Sequence, residues 1–272
     1  MFADDIKLYS IVNSVNDCVT LQGALDRLLV WSSVWQLPIS ATKCSTVNLG
    51  VAHVAHNFTL GSSVLPHSLL SKDLGITIDP LLKLDQHIRA ISRKGHVKAN
   101  LIRRSFLTRD HKALTKAFVS YVRPALEYCS VVWSPSYIGL IRQIESVQRL
   151  FTKRMHGLWD LSYRARLNLL GLQTLEHRRL LFDLHMCFMI NRGLVDLSTS
   201  DFFSLGLKST RGHGYKLMHS HSHINARKHL SVRVVPIWNS LPASVVDAPT
   251  FPLFKKRLLA LDLSAHLVTI TD

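Results

Sequence analysis

The chain has 272 residues, 47% of them hydrophobic, enough to bury one or two cores. Its 33 Lys and Arg outnumber its 18 Asp and Glu, and the resulting charge of +15 favours nucleic acid as a partner over an anionic membrane surface. Since no apolar run approaches the ~20 residues that span a bilayer, and no basic region leads into an apolar one at the start, neither a transmembrane helix nor a signal peptide is predicted. The expected location is intracellular, nuclear or cytoplasmic.

The first 80 residues predict a small region of mixed helix and strand. Phe2 to Ile11 carries β-forming residues, which predicts a hairpin with the Asp4-Asp5 pair at its tip. Apolar residues at helical spacing predict a helix over about 16–36, with Ser14 or Asn16 as its N-cap. Further predicted strands are 43–49, a hairpin of 58–60 and 63–65, and 73–79.

The chain becomes basic and helical after residue 80, where we place a domain boundary. Between residues 89 and 104, six cations and no acid lie among apolar residues at helical spacing. The six are Arg89, Arg93, Lys94, Lys98, Arg103 and Arg104. More helices are predicted at 109–122, 137–155, 163–170, 174–191 and 251–261, the first capped by Thr108 and stopped by Pro124. The expected fold is α+β and predominantly helical.

The basic helix has two interpretations. Arginine-rich faces are usually solvated surface when acids balance their charge. Here no acid does so, and a row of cations at this density suits a phosphate backbone, with binding that weakens steeply as salt rises. Charge alone therefore predicts a nucleic-acid surface over residues 89–104.

The Asp4-Asp5 pair also has two interpretations. Adjacent aspartates are most often found in solvated turns. Two carboxylates at a hairpin tip would also offer the oxygen ligands that Mg²⁺ prefers, and paired metals stabilise the attacking and leaving oxygens of phosphoryl transfer. The pair by itself does not decide between a turn and a metal site.

A series of blocks, in the same order along the chain, resembles the reverse transcriptases of non-LTR retrotransposons. The blocks are Phe2-Ala3-Asp4-Asp5-Ile6-Lys7-Leu8-Tyr9, the Leu21 to Trp35 helix, Lys43-Cys44, Lys72-Asp73-Leu74-Gly75-Ile76, Arg104-Ser105-Phe106, Tyr121 to Tyr128, Val132-Trp133-Ser134-Pro135, Ile144 to Arg149 and Trp238 to Pro242. The resemblance covers nearly the whole chain.

The resemblance implies a partial reverse-transcriptase palm over residues 1–80 and a basic helical thumb over 81–160. A helical C-terminal region over 161–272 then includes an irregular stretch rich in histidine, serine and cations. The implied activity is RNA-directed DNA polymerisation, with an RNA template and an RNA–DNA or DNA duplex as partners. No protein partner and no membrane partner are predicted.

The resemblance also implies roles for individual residues. Asp4 and Asp5 correspond to the catalytic motif that binds Mg²⁺, with Asp4 as a direct metal ligand. The segment that resembles the primer grip is Lys72, Asp73, Leu74 and Gly75. In this family the other catalytic aspartate, the fingers and the dNTP-binding elements precede the Asp-Asp motif, so we expect this chain to be inactive alone.

Two alternatives remain open beside an incomplete polymerase. One is a non-catalytic nucleic-acid-binding protein derived from a retrotransposon, which keeps the basic helix and leaves the acids idle. The other is a truncated product that folds poorly, because a palm sheet without its first strands leaves an open edge that invites aggregation.

Cysteine, histidine and tryptophan suggest no further chemistry. The scattered Cys18, Cys44, Cys129 and Cys187 are expected to be buried thiols, since no pair has disulfide-framework or zinc-site spacing. Histidines crowd residues 213–229 without a finger spacing, and no zinc is predicted. The tryptophans, Trp31, Trp35, Trp133, Trp159 and Trp238, lie among aliphatic residues and are expected in the core rather than stacked on bases.

Overall fold

The structure is a computed structural model that describes residues 5–50, 54–204, 213–218 and 230–269. The chain divides into two compact units, residues 1–84 and 85–272. In the described residues the second unit consists mainly of helices, whereas the first holds one long helix, a short 3-10 turn and two small two-stranded sheets. The expectation of an α+β, mostly helical fold is confirmed at this level.

The elements of the first unit are α1 (Val15–Val34), β1 (Thr59–Leu60), β2 (Ser63–Val64), β3 (Ser71–Asp73) and β4 (Ile76–Ile78). The longer helices of the second unit are α2 (Asp85–Ser105), α3 (His111–Ala117), α6 (Ile138–Lys153), α7 (Tyr163–Leu170), α8 (Leu175–Asn191) and α13 (Phe251–Leu259). Its shorter helices are α4 (Arg123–Glu127), α5 (Ser130–Trp133), α9 (Thr199–Phe202), α10 (Leu230–Arg233), α11 (Val235–Ser240) and α12 (Ala243–Val246).

Helix α1 organises the first unit. The Ser14 hydroxyl accepts from the Asp17 amide at 3.3 Å, and the Asp17 carboxylate accepts from the Ser14 amide at 2.9 Å, so a capping box starts the helix. The Gln22 side chain bonds both backbone groups of Thr59, at 2.9 and 3.0 Å. The hairpin of β1 and β2 is thereby attached to α1, and its pairing agrees with the predicted hairpin of 58–60 and 63–65.

Two of the predicted strands are wrong. Residues 43–49 begin in a 3-10 turn and form a single bridge, between Thr46 and His67. The bridge cannot extend toward residue 44, because the amide needed there is that of Pro66, which has no hydrogen to donate. Residues 73–79 are not one strand, since the chain reverses at Leu74-Gly75 to pair β3 with β4. Of the predicted Phe2–Ile11 hairpin, residues 1–4 lie outside the described part, and residues 6–11 form no strand.

In the second unit, α2 and α6 pack side by side in the same direction. His96 contacts Ser146 at 3.2 Å, and Asn100 contacts Arg154 at 3.4 Å. A glycine permits this approach, because a Cβ at Gly95 would lie 3.2 Å from a methyl of Val147 in α6 and 2.8 Å from a methyl of Leu126 in α4. The packing places one side of α2 in the core and leaves the other in solvent.

The start and end of α3 differ from the prediction. The Asp110 carboxylate caps the helix by accepting from the amides of Lys112 and Ala113, and Thr108 caps only the Asp110 amide. The chain also remains helical beyond Pro124, since a π-helical turn over Phe118–Val122 leads into α4. A wider turn accommodates the missing proline amide without breaking the helix.

A large apolar core joins α8 to the C-terminal helices. Phe188 and Phe254 stack with ring centroids 4.2 Å apart, and Trp238 packs on Phe254. The core prediction holds for Trp133 and Trp238, which are at most 2% exposed. It is wrong for the remaining tryptophans, Trp31, Trp35 and Trp159, which are 39%, 65% and 65% exposed.

The cysteine prediction is correct in part. Cys18 and Cys187 are buried, whereas Cys44 is half-buried and Cys129 is exposed. Cys129 lies in a sharp left-handed bend between α4 and α5, where its side chain faces solvent. Within the described residues, no helix is long and apolar enough to cross a membrane.

Candidate nucleic-acid interface

Three arginines of α2 share its solvent side. Arg93 and Arg104 follow Arg89 by 4 and 15 residues, which are close to whole numbers of helical turns, and all three are exposed. The opposite side is buried, and its members are Ile88, Ser92, Gly95, Ala99 and Ile102. In the part of the chain that the structure describes, no acid pairs with these three arginines. We call Arg89, Arg93 and Arg104 the arginine row.

The other predicted cations flank the arginine row. Lys94 and Arg103 are exposed, and Lys98 is half-buried because its ammonium donates to the carbonyl of Tyr121 at 3.0 Å. All six cations of residues 89–104 therefore lie on one helix, although they do not share one face. Of the six, Lys98 is therefore the least available to a ligand, because its ammonium already donates a hydrogen bond within the protein.

The end of α6 adds two cations that the sequence argument missed. Lys153 and Arg154 are exposed, and the bond from Arg154 to Asn100 places them beside the last turns of α2. The C-terminal ends of two parallel helices also favour cations, because each helix dipole is negative there. The sequence feature that could have indicated these two residues is the basic end of the predicted 137–155 helix, where Arg149 precedes both.

The chain just after the Asp4-Asp5 pair contacts the segment that resembles the primer grip. Lys7, two residues after Asp5, forms an ion pair with Asp73 at the end of β3. Asp5 is exposed, and Asp4 lies outside the described residues. Lys72 and Gly75 are exposed as well, so the segment that resembles the primer grip is a solvent-facing hairpin.

The tip of that hairpin is strained. The two residues of the turn, Leu74 and Gly75, have φ values of 44° and 88°. A two-residue hairpin with both φ values positive is a type I′ turn, which favours Asn-Gly or Gly-Gly over leucine. Strain of this kind persists where the surrounding structure imposes it, and it is frequent at functional sites.

The structure does not test the predictions of a magnesium site at Asp4-Asp5 and of no bound zinc. Among the described residues, no three His, Cys, Asp or Glu side chains group in a way that would hold a metal ion. The magnesium prediction depends on Asp4, which is not described. In the histidine-rich segment, His213 is buried and packs on Trp238, while His219, His221, His223 and His229 lie outside the described residues.

The second unit also contains a network of buried polar side chains. Glu145 of α6 is 1% exposed, and its carboxylate accepts from the amides of Leu175 and Glu176 at 3.1 and 3.2 Å and from the hydroxyl of Tyr163 at 2.5 Å. It thus caps the N-terminus of α8, where the helix dipole favours an acid. Burial raises the pKa of Glu145, while these bonds act in the opposite direction.

Two more ion pairs extend this buried network. Arg233 donates to both oxygens of Asp183, at 2.7 and 2.9 Å, and Arg178 forms a two-pronged pair with Glu127. Burial raises the pKa of Asp183, an effect that Arg233 opposes. No functional role was predicted for these residues from the sequence. Their signal was the presence of several charges within the otherwise apolar 174–191 helix.

Comparisons with known proteins identify distant relatives. The chain is 27% identical over 163 residues to the RNA-directed DNA polymerase from mobile element jockey of Drosophila funebris. The matched segment covers 57% of this chain and 18% of that protein. The chain is also 27% identical over 175 residues to the probable RNA-directed DNA polymerase from transposon BS of Drosophila melanogaster, covering 61% and 19%. An uncharacterized protein of Caenorhabditis elegans is 27% identical over 112 residues, covering 40% and 57%.

These similarities show that the chain is distantly related to the RNA-directed DNA polymerases of retrotransposons. The resemblance stated from the sequence motifs is confirmed at that level. The matched segment spans less than a fifth of either polymerase and about half of the nematode protein. No protein-family model and no solved structure matches the chain.

Proposed function

We propose that the chain is a reverse-transcriptase-like fragment that binds a nucleic-acid duplex through the second unit. The observation that carries this proposal is the arginine row of α2, which is exposed and unpaired among the described residues. Distant relatedness to retrotransposon polymerases supports nucleic acid over other polyanions. The row would act as the duplex-binding face of a polymerase thumb.

The dimensions of the row suit a phosphate backbone. Arg89 and Arg104 are fifteen residues apart on a helix that rises 1.5 Å per residue, so the row extends over about 22 Å. Lys153 and Arg154 widen its C-terminal end. Cations that contact phosphates release counterions, and each contact contributes about 0.9 to the slope of log affinity against log salt on duplex DNA.

The first unit would contribute the polymerase chemistry. In this proposal Asp4 and Asp5 hold Mg²⁺, which supplies charge stabilisation at the transferred phosphoryl group. The exposed hairpin tip formed by Lys72, Asp73, Leu74 and Gly75 would contact the primer end. The ion pair between Lys7 and Asp73 supports this assignment, because it holds the acidic segment next to the hairpin.

The test of the binding function is a salt series. We expect the chain to bind an RNA–DNA primer-template duplex with an affinity that falls steeply between low and physiological salt. The double substitution Arg93→Glu and Arg104→Glu should weaken binding at low salt and lower the salt slope by roughly 2, about one unit for each lost phosphate contact.

The matched control reverses charge at an exposed lysine elsewhere in the second unit. Lys256→Glu lies on α13 and should leave the salt slope nearly unchanged. An equal effect per reversed charge, half as large for Lys256→Glu as for the double variant, would show that net charge, and not the arginine row, drives binding. Absence of duplex binding at low salt would overturn the proposal.

A separate assay tests the catalytic part. Primer extension with dNTPs and Mg²⁺ is compared between the chain and the Asp4→Asn variant, using the same duplex. Extension that requires Asp4 would support the proposed metal site. Duplex binding without any extension is the result expected of an incomplete polymerase, and extension that requires Asp4 would contradict the expectation that the chain is inactive alone.

A further inference from the structure

Two exposed apolar side chains lie next to the arginine row on α2. Val97 and Leu101, one helical turn apart, are 63% and 62% exposed, and we call them the apolar strip. At about 100° per residue, the strip borders the row on one side, and Lys94 and Lys98 lie beyond it. The only acid within α2 is Asp85, in its first turn. The solvent side of α2 therefore continues from the row, across the strip, to a second pair of cations.

The ring of Tyr121 lies at the far edge of this surface. The Lys98 ammonium donates to the Tyr121 carbonyl at 3.0 Å, which places the tyrosine beside α2. The Tyr121 side chain is 64% exposed, and none of the described residues forms a hydrogen bond or a ring contact with it. Aromatic rings supply large contact areas, both in cores and at interfaces. This ring is thus available to a ligand.

The backbone that carries Tyr121 is unusual. Phe118–Val122 is the π-helical turn between α3 and α4, and turns of this kind are rare and frequent at functional sites. Both ends of the turn, Phe118 and Val122, are fully buried. Tyr121 is therefore attached to a fixed part of the core, and a group held in place in this way loses little freedom when a ligand binds.

We propose that Tyr121 stacks on an unpaired base of a strand that extends from the duplex at the arginine row. Bases inside a duplex are covered by their neighbours, whereas an unpaired base offers an open face to an aromatic side chain. The exposed Lys94 would contact the phosphates of that strand, and the apolar strip would lie beneath its sugars. Stacking tolerates any base, so the site would accept single strands of any sequence. The choice of nucleic acid rests on the proposed function.

The dimensions of the surface suit a short overhang. Arg93 and Lys98 are five residues apart, which is about 140° around the helix and roughly 8 Å along it. On a helix about 10–12 Å across, these combine to roughly 15 Å along the surface. A stacked strand rises about 3.4 Å per nucleotide, so about five unpaired nucleotides cover the span.

The test compares a blunt duplex with the same duplex carrying about six unpaired nucleotides, at the 5′ or the 3′ end. The overhang should tighten binding of the full chain about fivefold or more, the lower part of the range for one stacked base. Tyr121→Ala should remove this gain and leave binding of the blunt duplex unchanged, and Tyr121→Phe should keep the gain. No gain from either overhang, or a gain that survives Tyr121→Ala, would overturn the proposal.

Tyr137→Ala is the matched control. Tyr137 is 49% exposed in the same unit, just before α6. Its substitution should leave the overhang gain intact, and an equal loss in both variants would refute the assignment to Tyr121. The bond from Lys98 involves the backbone carbonyl of Tyr121, so it persists in each Tyr121 variant.

An anionic membrane is the competing partner for this surface, since apolar side chains beside lysines also suit lipid headgroups. Vesicles of phosphatidylcholine and phosphatidylserine provide the probe. The chain should bind them no more tightly than Tyr121→Ala does. Vesicle binding that requires Tyr121, without any overhang gain, would assign the surface to a membrane and overturn the proposal.

An isolated strand of about ten thymidines separates the stacking site from the duplex proposal, because its length lies within the site sizes typical of single-strand binders. Binding of this strand that weakens about fivefold in Tyr121→Ala would support the stacking site even if the blunt duplex did not bind. Duplex binding with no dependence of either overhang or single strand on Tyr121 would refute the stacking site and leave the arginine row standing.

Discussion

At the scale of single residues, the described non-glycine residues with a positive φ are Gln36, Leu82, Leu84, Cys129 and, in a two-residue hairpin turn, Leu74. The φ of 44° at Leu74, at the tip of the β3–β4 hairpin, lies in the left-handed region, where a side chain costs about 1–2 kcal/mol relative to glycine. Leu74 is also 48% exposed, so its side chain gains little from burial.

We therefore predict that Leu74→Gly stabilises the chain. The expected gain in the free energy of unfolding is about 0.5–1 kcal/mol, because relief of strain exceeds the entropy that glycine adds to the unfolded state. Urea denaturation of the first unit, followed by tryptophan fluorescence, measures it. Leu69→Gly, at an exposed site with ordinary φ, should be neutral or destabilising, and the same gain there would contradict the strain argument.

His185 predicts how stability depends on pH. Its ring lies against Phe251 and Phe254, and burial, assisted by the Lys255 charge, lowers its pKa from 6.5 to about 4. Between these two pKa values the unfolded chain binds a proton that the folded chain does not. Stability from this group is thus complete above pH 6.5 and is lost as the pH falls towards 4.

We expect His185→Phe to remove that part of the acid sensitivity. Allowing for solvent screening of a partly exposed group, the difference between the two proteins should amount to about 2 kcal/mol between pH 7 and pH 4. Other histidines with lowered pKa values, His87, His96, His177 and His213, contribute equally to both proteins. Denaturation midpoints across pH measure the difference, and parallel pH profiles would refute the assignment to His185.

At the scale of elements, the α2–α6 contact depends on Gly95. A Cβ there would meet Leu126 at 2.8 Å and Val147 at 3.2 Å, both in the core. We predict that Gly95→Ala lowers the free energy of unfolding by about 1–3 kcal/mol, since overpacking outweighs the better helix propensity of alanine.

Gly139→Ala is the matched control for Gly95→Ala. Gly139 lies in the first turn of α6, and no atom would lie within 4 Å of an added Cβ. Alanine there should stabilise by up to about 1 kcal/mol through propensity alone. If thermal denaturation showed that both substitutions stabilise the chain, then α2 and α6 would be able to move apart to accept a methyl group at residue 95 with no loss of stability.

The same elements show what local sequence can and cannot predict. Helices α6, α7 and α8 were predicted to within a few residues, because their apolar spacing and caps such as Ser162 and Thr174 are local signals. The segment at residues 43–49 was predicted wrongly, since its pairing depends on residues 66–68, about twenty residues away along the chain. Pairing partners are a property of the tertiary structure.

The residues of the candidate site likewise include some that local sequence predicts and some that depend on the tertiary structure. The exposed side of α2 follows from helical spacing, so the arginine row was visible in the sequence. The addition of Lys153 and Arg154 depends on how α6 packs against α2. The two adjacent arginines of α8 are the hardest to predict. Arg178 forms an ion pair with Glu127, whereas the next residue, Arg179, has no hydrogen-bond partner for its guanidinium among the described residues, and nothing in the local sequence distinguishes the two.

At the scale of the whole molecule, the two units differ in how much apolar surface they bury. The fully buried apolar residues of the first unit are few, namely Cys18, Phe58, Leu60, Leu65 and Ile76 among its described residues. The core around Phe188 and Phe254, like the buried ion network, draws only on residues 85–272. Domains that contain their own core can in principle fold alone.

We therefore predict that residues 85–272, produced alone, fold cooperatively and keep salt-dependent duplex binding. Thermal unfolding followed by circular dichroism should give a single steep transition, and Phe254→Ala, which removes a fully buried ring, should lower the stability of this fragment by about 3–5 kcal/mol. Binding within a few-fold of the full chain would place the duplex site in this unit. A folded fragment without binding would show that the first unit supplies essential contacts, and the arginine row alone would then be insufficient for the proposed function.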